Sequence, residues 1–170
     1  MQNSVAGLMN AVGGMRLMDN TFLLFTLDGH CFGVGIDEIV RVYPALEIDE
    51  ISDGPPLLNG LFTVAGTKIP VLDLRRRLQL PERSAIPDDV LVVGESGAVE
   101  FAFFADSLVG VHAFSNDEIF DSHLIYPELA GHVSRVTEFS GRTVWIYTLD
   151  ALFAEADFPA LMAAVHAGAE

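Results

Sequence analysis

The residues of this chain that could do chemistry are few, and their spacing does not assemble them. Gly33-Val34-Gly35 follows an apolar run, as glycines do in loops that cradle a dinucleotide pyrophosphate, but the third glycine is missing and no βαβ unit follows. The run Val93-Gly-Glu-Ser-Gly97 sets a serine among glycines. A nucleophile elbow needs glycine two positions to either side of its serine, so that a strained strand-to-helix turn can close. Here Gly97 adjoins Ser96 and further strand-like sequence follows, so a hairpin turn is expected instead. His30, His112, His123, His132 and His166 have no paired ligand spacing, and one cysteine, Cys31, is too few for a structural zinc site. Cys31 lies beside Phe32 in an apolar run and reads as a buried, inert thiol. Asp37 and Asp106 each precede a short apolar segment, where a carboxylate serves as a cap or turn acceptor rather than as half of a catalytic pair. The acidic stretch 47–53 reads as a solvated loop. Arg75-Arg76-Arg77 sits where a strand passes into a helix, and bridging to neighbouring carboxylates is favoured there over binding an acidic partner. The expectation is a chain without catalytic residues, metal or cofactor.

Composition narrows the partners. The 170 residues are 51% apolar and 19% charged, enough to bury a core in one domain or two small intimate ones. With 24 acidic against 9 basic residues the net charge is −15, which disfavours nucleic acid and anionic membrane surfaces. No apolar run reaches the roughly 18 residues of a spanning helix. The start to Met18 has its first basic residue only at Arg16 and is broken by glycines, unlike a signal peptide. A single cysteine fits a reducing compartment, and a cytoplasmic location is expected.

The elements that must position any site are mostly strands. Residues 1–20 read as an arm or short docked helix. Thr21–Leu27, the turn Asp28-Gly29 and His30–Val34 predict a hairpin, and Ile36–Val42 a single helical turn leading into a strand. Gly60–Ala65 and Lys68–Leu74 predict a second hairpin, with Pro70 marking its second strand as an edge or a bulge, and Arg75–Leu78 a short helix. Residues 81–89 read as the joint between halves. Val90–Gly94, Ala98–Phe104, Arg135–Phe139 and Arg142–Thr148 predict the remaining strands. In the tail, Asp157 and Pro159 mark a helix start. Phe22, Leu24, Ile69, Val71, Leu74, Phe101, Phe103, Val144 and Ile146 fall at core positions. Many short strands with few helices mean an all-β barrel or sandwich.

The chain also repeats itself. Phe32-Gly-Val-Gly-Ile-Asp-Glu-Ile-Val-Arg-Val42 overlays Phe101-Ala-Phe-Phe-Ala-Asp-Ser-Leu-Val-Gly-Val111 without a gap, at a spacing of 69 residues (32 to 101). Gly66-Thr-Lys-Ile-Pro-Val-Leu-Asp-Leu74 overlays Gly141-Arg-Thr-Val-Trp-Ile-Tyr-Thr-Leu149 at a spacing of 75 (66 to 141). Two motifs recurring in order predict two copies of one supersecondary unit with a groove between them.

The stretch Gly60-Leu-Phe-Thr-Val-Ala-Gly-Thr-Lys-Ile-Pro-Val-Leu-Asp-Leu-Arg75 resembles the central signature of the CheW-type chemotaxis coupling domain, which reads roughly Gly-x-x-Asn-x-Arg-Gly-x-x-x-Pro, two apolar residues, Asp-Leu-Arg. Phe22–Leu27 with Phe32–Val34 and the Asp106–Val111 segment resemble it too. The resemblance runs from about Phe22 to Phe153 and implies an all-β fold with short helices, built as two intimately packed five-stranded SH3-like barrels sharing a core. It further implies a domain spanning 21–153, with halves of about 21–82 and 88–153 and a helical tail at 154–170. A non-enzymatic cytoplasmic adaptor is implied, joining a chemoreceptor cytoplasmic tip to the regulatory domain of a CheA-type histidine kinase. Carried over by position, Ile39, Arg41 and Val42 are expected at a kinase-type interface and Ala65 with Gly66 at a receptor-type groove. The chain departs from the pattern at Thr63, in place of the usual asparagine, and at Ala65, in place of the arginine. It also carries Arg41 where a relative has an acidic residue. Losing the arginine removes a charge and a forked donor set, which makes this a divergent member. Two other readings are a small-molecule binder or hydrolase using the groove between barrels, and an inhibitory scaffold that occupies the coupling position without transmitting signal.

Overall fold

A computed structural model describes residues 20–45, 48–50, 57–97, 99–121, 135–153 and 163. The first strands are β1 (Thr21–Leu27), β2 (His30–Gly35), β3 (Ile39–Pro44), β4 (Asp49–Glu50), β5 (Leu58–Val64) and β6 (Thr67–Leu72). Those of the second half are β7 (Val90–Ser96), β8 (Val99–Ala105), β9 (Ser107–Ala113), β10 (Phe120–Asp121), β11 (Arg135–Phe139) and β12 (Arg142–Tyr147). Two one-turn helices, α1 (Leu74–Arg77) and α2 (Leu149–Leu152), follow β6 and β12. A 3-10 turn at Ile36–Glu38 leads into β3, as the spacing of Ile36, Ile39 and Val40 predicts. The predicted C-terminal helix and the Tyr126-Pro127 loop lie outside the described residues.

Three hairpins close on two-residue turns, each with both central residues at positive φ. They are Asp28-Gly29 (50° and 78°), Ala65-Gly66 (50° and 80°) and Ser140-Gly141 (52° and 76°). That backbone matches the twist of antiparallel strands, and glycine reaches it without a Cβ penalty.

The strands form two six-stranded sheets, ordered β10-β11-β12-β2-β1-β9 and β3-β7-β8-β6-β5-β4. Each has five strands of five to seven residues and one edge strand of two. Replacing β1–β6 by β7–β12 turns one order into the other, so the sheets are copies. Neither sheet is one half of the chain, however. Hairpin β1–β2 completes the sheet of β9–β12, and hairpin β7–β8 completes that of β3–β6.

The duplication holds residue by residue. Leu23 faces Val111 as Val92 faces Val42, and Phe25 faces Leu108 as Gly94 faces Ile39. The parallel joins repeat likewise, Val71 beside Ala102 and Ile146 beside Gly33. Asp73 caps α1 by accepting from the Arg76 N–H, and Thr148 caps α2 by accepting from the Ala151 N–H. Phe32 and Phe101 are therefore equivalent residues of equivalent strands.

Strands with both faces buried explain the high apolar content. Phe22 and Leu24 of β1 point with Cys31, Val144 and Ile146 into one barrel, and Ile69 and Val71 of β6 with Phe62, Leu91 and Val93 into the other. The opposite faces, Leu23, Phe25, Phe32, Leu74, Phe101 and Phe103 among them, meet in a central core between the barrels. All nine expected core residues are buried. Pro70 is not on an edge strand: β6 lies inside its sheet, and the ladder to β8 registers only at Val71 and Leu72, so the missing N–H at Pro70 leaves that ladder intact.

Candidate functional site

The residues carried over from the resemblance fall in two places. Ile39, Arg41 and Val42 share β3, the edge strand of its sheet, while Ala65 and Gly66 form the β5–β6 turn beyond β7 and β8. One site does not contain both groups.

On β3 a bulge separates Ile39 from Arg41 in the pairing with β7. Ile39 is only 9% exposed and belongs to the central core, so its side chain anchors the strand from beneath. Val42 is half-buried against the same core. Arg41 projects into solvent, its Nη1 3.5 Å from the Tyr43 hydroxyl to which it donates. Tyr43 packs edge-on against Phe62 at 5.2 Å, so the arginine rests beside an anchored aromatic. This strand offers a cation on an exposed edge over an apolar base.

At the β5–β6 turn both residues are exposed, and a Cβ on Gly66 would meet nothing within 4 Å. The constraint on Gly66 is its φ of 80° alone. Thr63 is exposed on β5 and pairs with Lys68 on β6. The turn is a small, uncharged knob where a family arginine would extend.

A third feature, absent from the sequence reading, is an ion network between the two sheets. Arg75 Nη2 donates to both oxygens of Asp106 at 2.6 Å, and Arg83 Nη2 donates to Asp106 Oδ1 at 2.6 Å and to Asp89 Oδ1 at 2.8 Å. Asp106 also accepts the Asp28 N–H at 2.8 Å. Burial alone would raise the Asp106 carboxyl, but Arg75, the Asp28 N–H and Arg83 together hold it below the usual range. Asp89 is 3% exposed and is satisfied by Arg83 and by the Ile86 N–H. Arg83 itself is raised, chiefly by its bond to Asp89.

Two residues of the arginine run bridge carboxylates, as expected, and the third reaches a backbone carbonyl. Arg75 reaches Asp106, Arg76 pairs with Glu82 at 2.8 Å, and Arg77 Nε donates to the Leu152 carbonyl of α2. Asp106 is no helix cap, and no side-chain cap bond forms at the 3-10 turn that contains Asp37. The linker at 81–89, read as the joint between halves, is clasped by Arg83 to Asp89 and Asp106. Asp89 carries a faint sequence signal, an acid directly before an apolar strand, but nothing in one dimension names Arg83 as its partner.

Beside this network lies an open groove of about 1150 Å³, with Leu58, Leu72 and Phe104 among its apolar lining and Arg75, Arg83 and Asp89 among its polar lining. These three are engaged within the network, Arg75 with Asp106 and Arg83 with Asp89 and Asp106. Among the described residues no group of three or more His, Cys, Asp or Glu could hold a metal ion. Burial pushes the Cys31 thiol up against a small opposing pull from Arg142.

The model of the CheW-like domain matches residues 21–157. The chain belongs to the CheW-like domain family. A solved structure, the scaffolding protein TtCheW from Thermoanaerobacter tengcongensis, shares the fold at 20% identity and a TM-score of 0.71, over 81% of this chain and 94% of that one. No curated protein matches. The fold shared with TtCheW is that of two SH3-like barrels.

Proposed function

We propose that this CheW-like domain is a non-enzymatic adaptor, working in the cytoplasm, that couples a chemoreceptor-type sensor to the regulatory domain of a CheA-type histidine kinase. The observation that carries the reading is the match to the CheW-like domain along 21–157. The surfaces are compatible with it: an exposed edge strand bearing Arg41 on one side of the sheet and a separate exposed turn at Ala65-Gly66 provide two faces for two partners. No described helix is long and apolar enough to cross a membrane.

The kinase face is β3, with Arg41 as the polar contact, Val42 at the rim and Ile39 as the support beneath. The receptor face is the Ala65-Gly66 turn, where lack of a guanidinium favours a receptor other than a conventional one. The test is titration of a kinase regulatory domain and a receptor tip against the wild type, Arg41→Glu and Ala65→Arg. The reading expects Arg41→Glu to weaken kinase binding alone and Ala65→Arg to strengthen binding to a conventional receptor tip alone. Wild-type protein that binds neither partner would refute it.

A further inference from the structure

The duplication pairs each junction between barrel and helix with a twin, and the twins differ in charge. At α1 the junction is locked by Arg75, which grips both oxygens of Asp106 while Arg83 adds a further hydrogen bond. The two repeat spacings carry Arg75 onto Asp150 and Asp106 onto Asp37. The repeat position of the guanidinium is thus taken by a carboxylate, and that of its partner again by a carboxylate. The α2 junction is held instead by Glu38, whose Oε1 accepts the Leu149 N–H at 3.2 Å, while Asp150 accepts from the Ser96 hydroxyl.

Two of the carboxyls, those of Asp37 and Glu38, converge beside Gly35. A Cβ built on Gly35 would stand 2.7 Å from Asp37 Oδ1 and 3.6 Å from Glu38 Oε2. The packing leaves little slack, since a Cβ on Gly94 would meet Leu149 Cδ1 at 2.5 Å and the Glu38 carbonyl oxygen at 3.2 Å. Burial raises the Glu38 carboxyl; the Leu149 N–H opposes this, and Asp37 and Asp150 add to it. Among the described residues, the ionisable groups around Glu38 are Asp37 on its own turn, Asp150 on α2 and Glu95, next to the Gly94 that pairs with Ile39; β1 brings none. Of the neighbouring cations, Arg41 donates to the Tyr43 hydroxyl and Arg77 to the Leu152 carbonyl at the far end of α2.

We propose that the α2 junction is a proton-responsive latch, loose while Glu38 is ionised among Asp37 and Asp150 and tight when a proton neutralises it, whereas the arginine-locked α1 junction stays fixed. The latch sits at the root of β3, next to the strand assigned above to the kinase, but it is a property of the free protein and stands whether or not that assignment holds. The sign follows from linkage: a carboxyl whose value is raised in the closed state favours closure when protonated.

Amide hydrogen exchange on the full chain without partner tests it, comparing protection at Leu149, Leu152 and Phe153 with that at Arg77 and Leu78 between pH 8 and about pH 4, at the ordinary carboxyl value. Protection at α2 should rise about two- to fivefold on acidification, the scale of a partly exposed charge interaction, while protection at α1 stays level. Glu38→Gln, which keeps the acceptor for Leu149, should give the acid level of protection at pH 8 and abolish the pH dependence. Asp106→Asn should do the opposite and lower protection at α1. If Glu38→Gln fails to fold, Asp150→Asn at an exposed position reads the same repulsion and should raise protection at Leu149. Level protection at α2 across the range, or a fall in either variant, overturns the proposal.

Discussion

Phe101 and Phe153 are the sharpest test of the shared central core. Both are 0% exposed, and their rings meet edge to face at 4.9 Å and 78°. Phe101 comes from β8, in the sheet completed across halves, and Phe153 follows α2. Phe101→Ala removes a large buried ring from a site walled by both sheets, where collapse is limited, so the loss should be about 3–5 kcal/mol. That is a large fraction of the roughly 5–15 kcal/mol of a typical domain. Phe153→Ala should cost a similar amount. The double variant should fall short of the sum by about 0.5–1.5 kcal/mol, the worth of an edge-to-face pair beyond its buried area. Urea unfolding followed by Trp145 fluorescence and by circular dichroism measures all three. Because the core is shared, each variant should unfold in one transition with both probes coincident. A loss below about 1 kcal/mol, strict additivity, or two separated transitions would refute a single core between the barrels.

Ala65→Gly should stabilise the protein by about 0.5–1 kcal/mol, since a left-handed residue with a Cβ is strained and only part of the relief is returned as unfolded-chain entropy; a thermal melt checks it. Asp106, held low by its arginines, contributes stability above its unfolded value that disappears as pH falls through the lower folded one. Acid unfolding of Asp106→Asn should therefore start from a lower stability at neutral pH and converge with the wild type at low pH. Tyr147 is pushed up to about 12 by burial, so stability should decline as pH rises from the unfolded phenol value of about 10 towards 12, and Tyr147→Phe should flatten that decline. Cys31, buried and raised, should react with a thiol reagent only as fast as the protein opens; rapid labelling of native protein would place it at the surface.

The fold was legible because its signals are local or periodic. Asp28-Gly29 and Ser140-Gly141 are turn dipeptides whose backbone preference dictates a hairpin, and runs such as Phe22–Phe25 and Phe101–Phe104 admit no exposed face. The spacings of 69 and 75 also captured the pairing register, because the second copy keeps its partners. The exchange of hairpins between sheets was not legible: the same two copies could form two closed halves, and the joins β2–β12, β1–β9, β6–β8 and β3–β7 decide otherwise. Ile39, carried over with Arg41 and Val42 as a partner-facing residue, lies beneath β3, since the bulge and the pairing with Gly94 turn it inward. The network of Arg75, Arg83, Asp89 and Asp106 stayed hidden because charges distant in sequence reveal a partner only after folding.

The hairpin exchange makes each half of the chain depend on the other to complete its sheets. A fragment ending within 81–89 would present β1–β2 without β9 and β12, and β3–β6 without β7–β8. The two fragments made together carry everything each lacks, so a chain nicked at this linker should reassemble from its pieces. The same logic looks backwards in time. A single ancestral repeat could have closed a barrel only by lending its first hairpin to a second copy and borrowing one in return, as a strand-swapped homodimer. Fusing the two genes would then have changed a bimolecular assembly into a unimolecular one and freed each copy to diverge, one junction acquiring arginines and the other keeping acids.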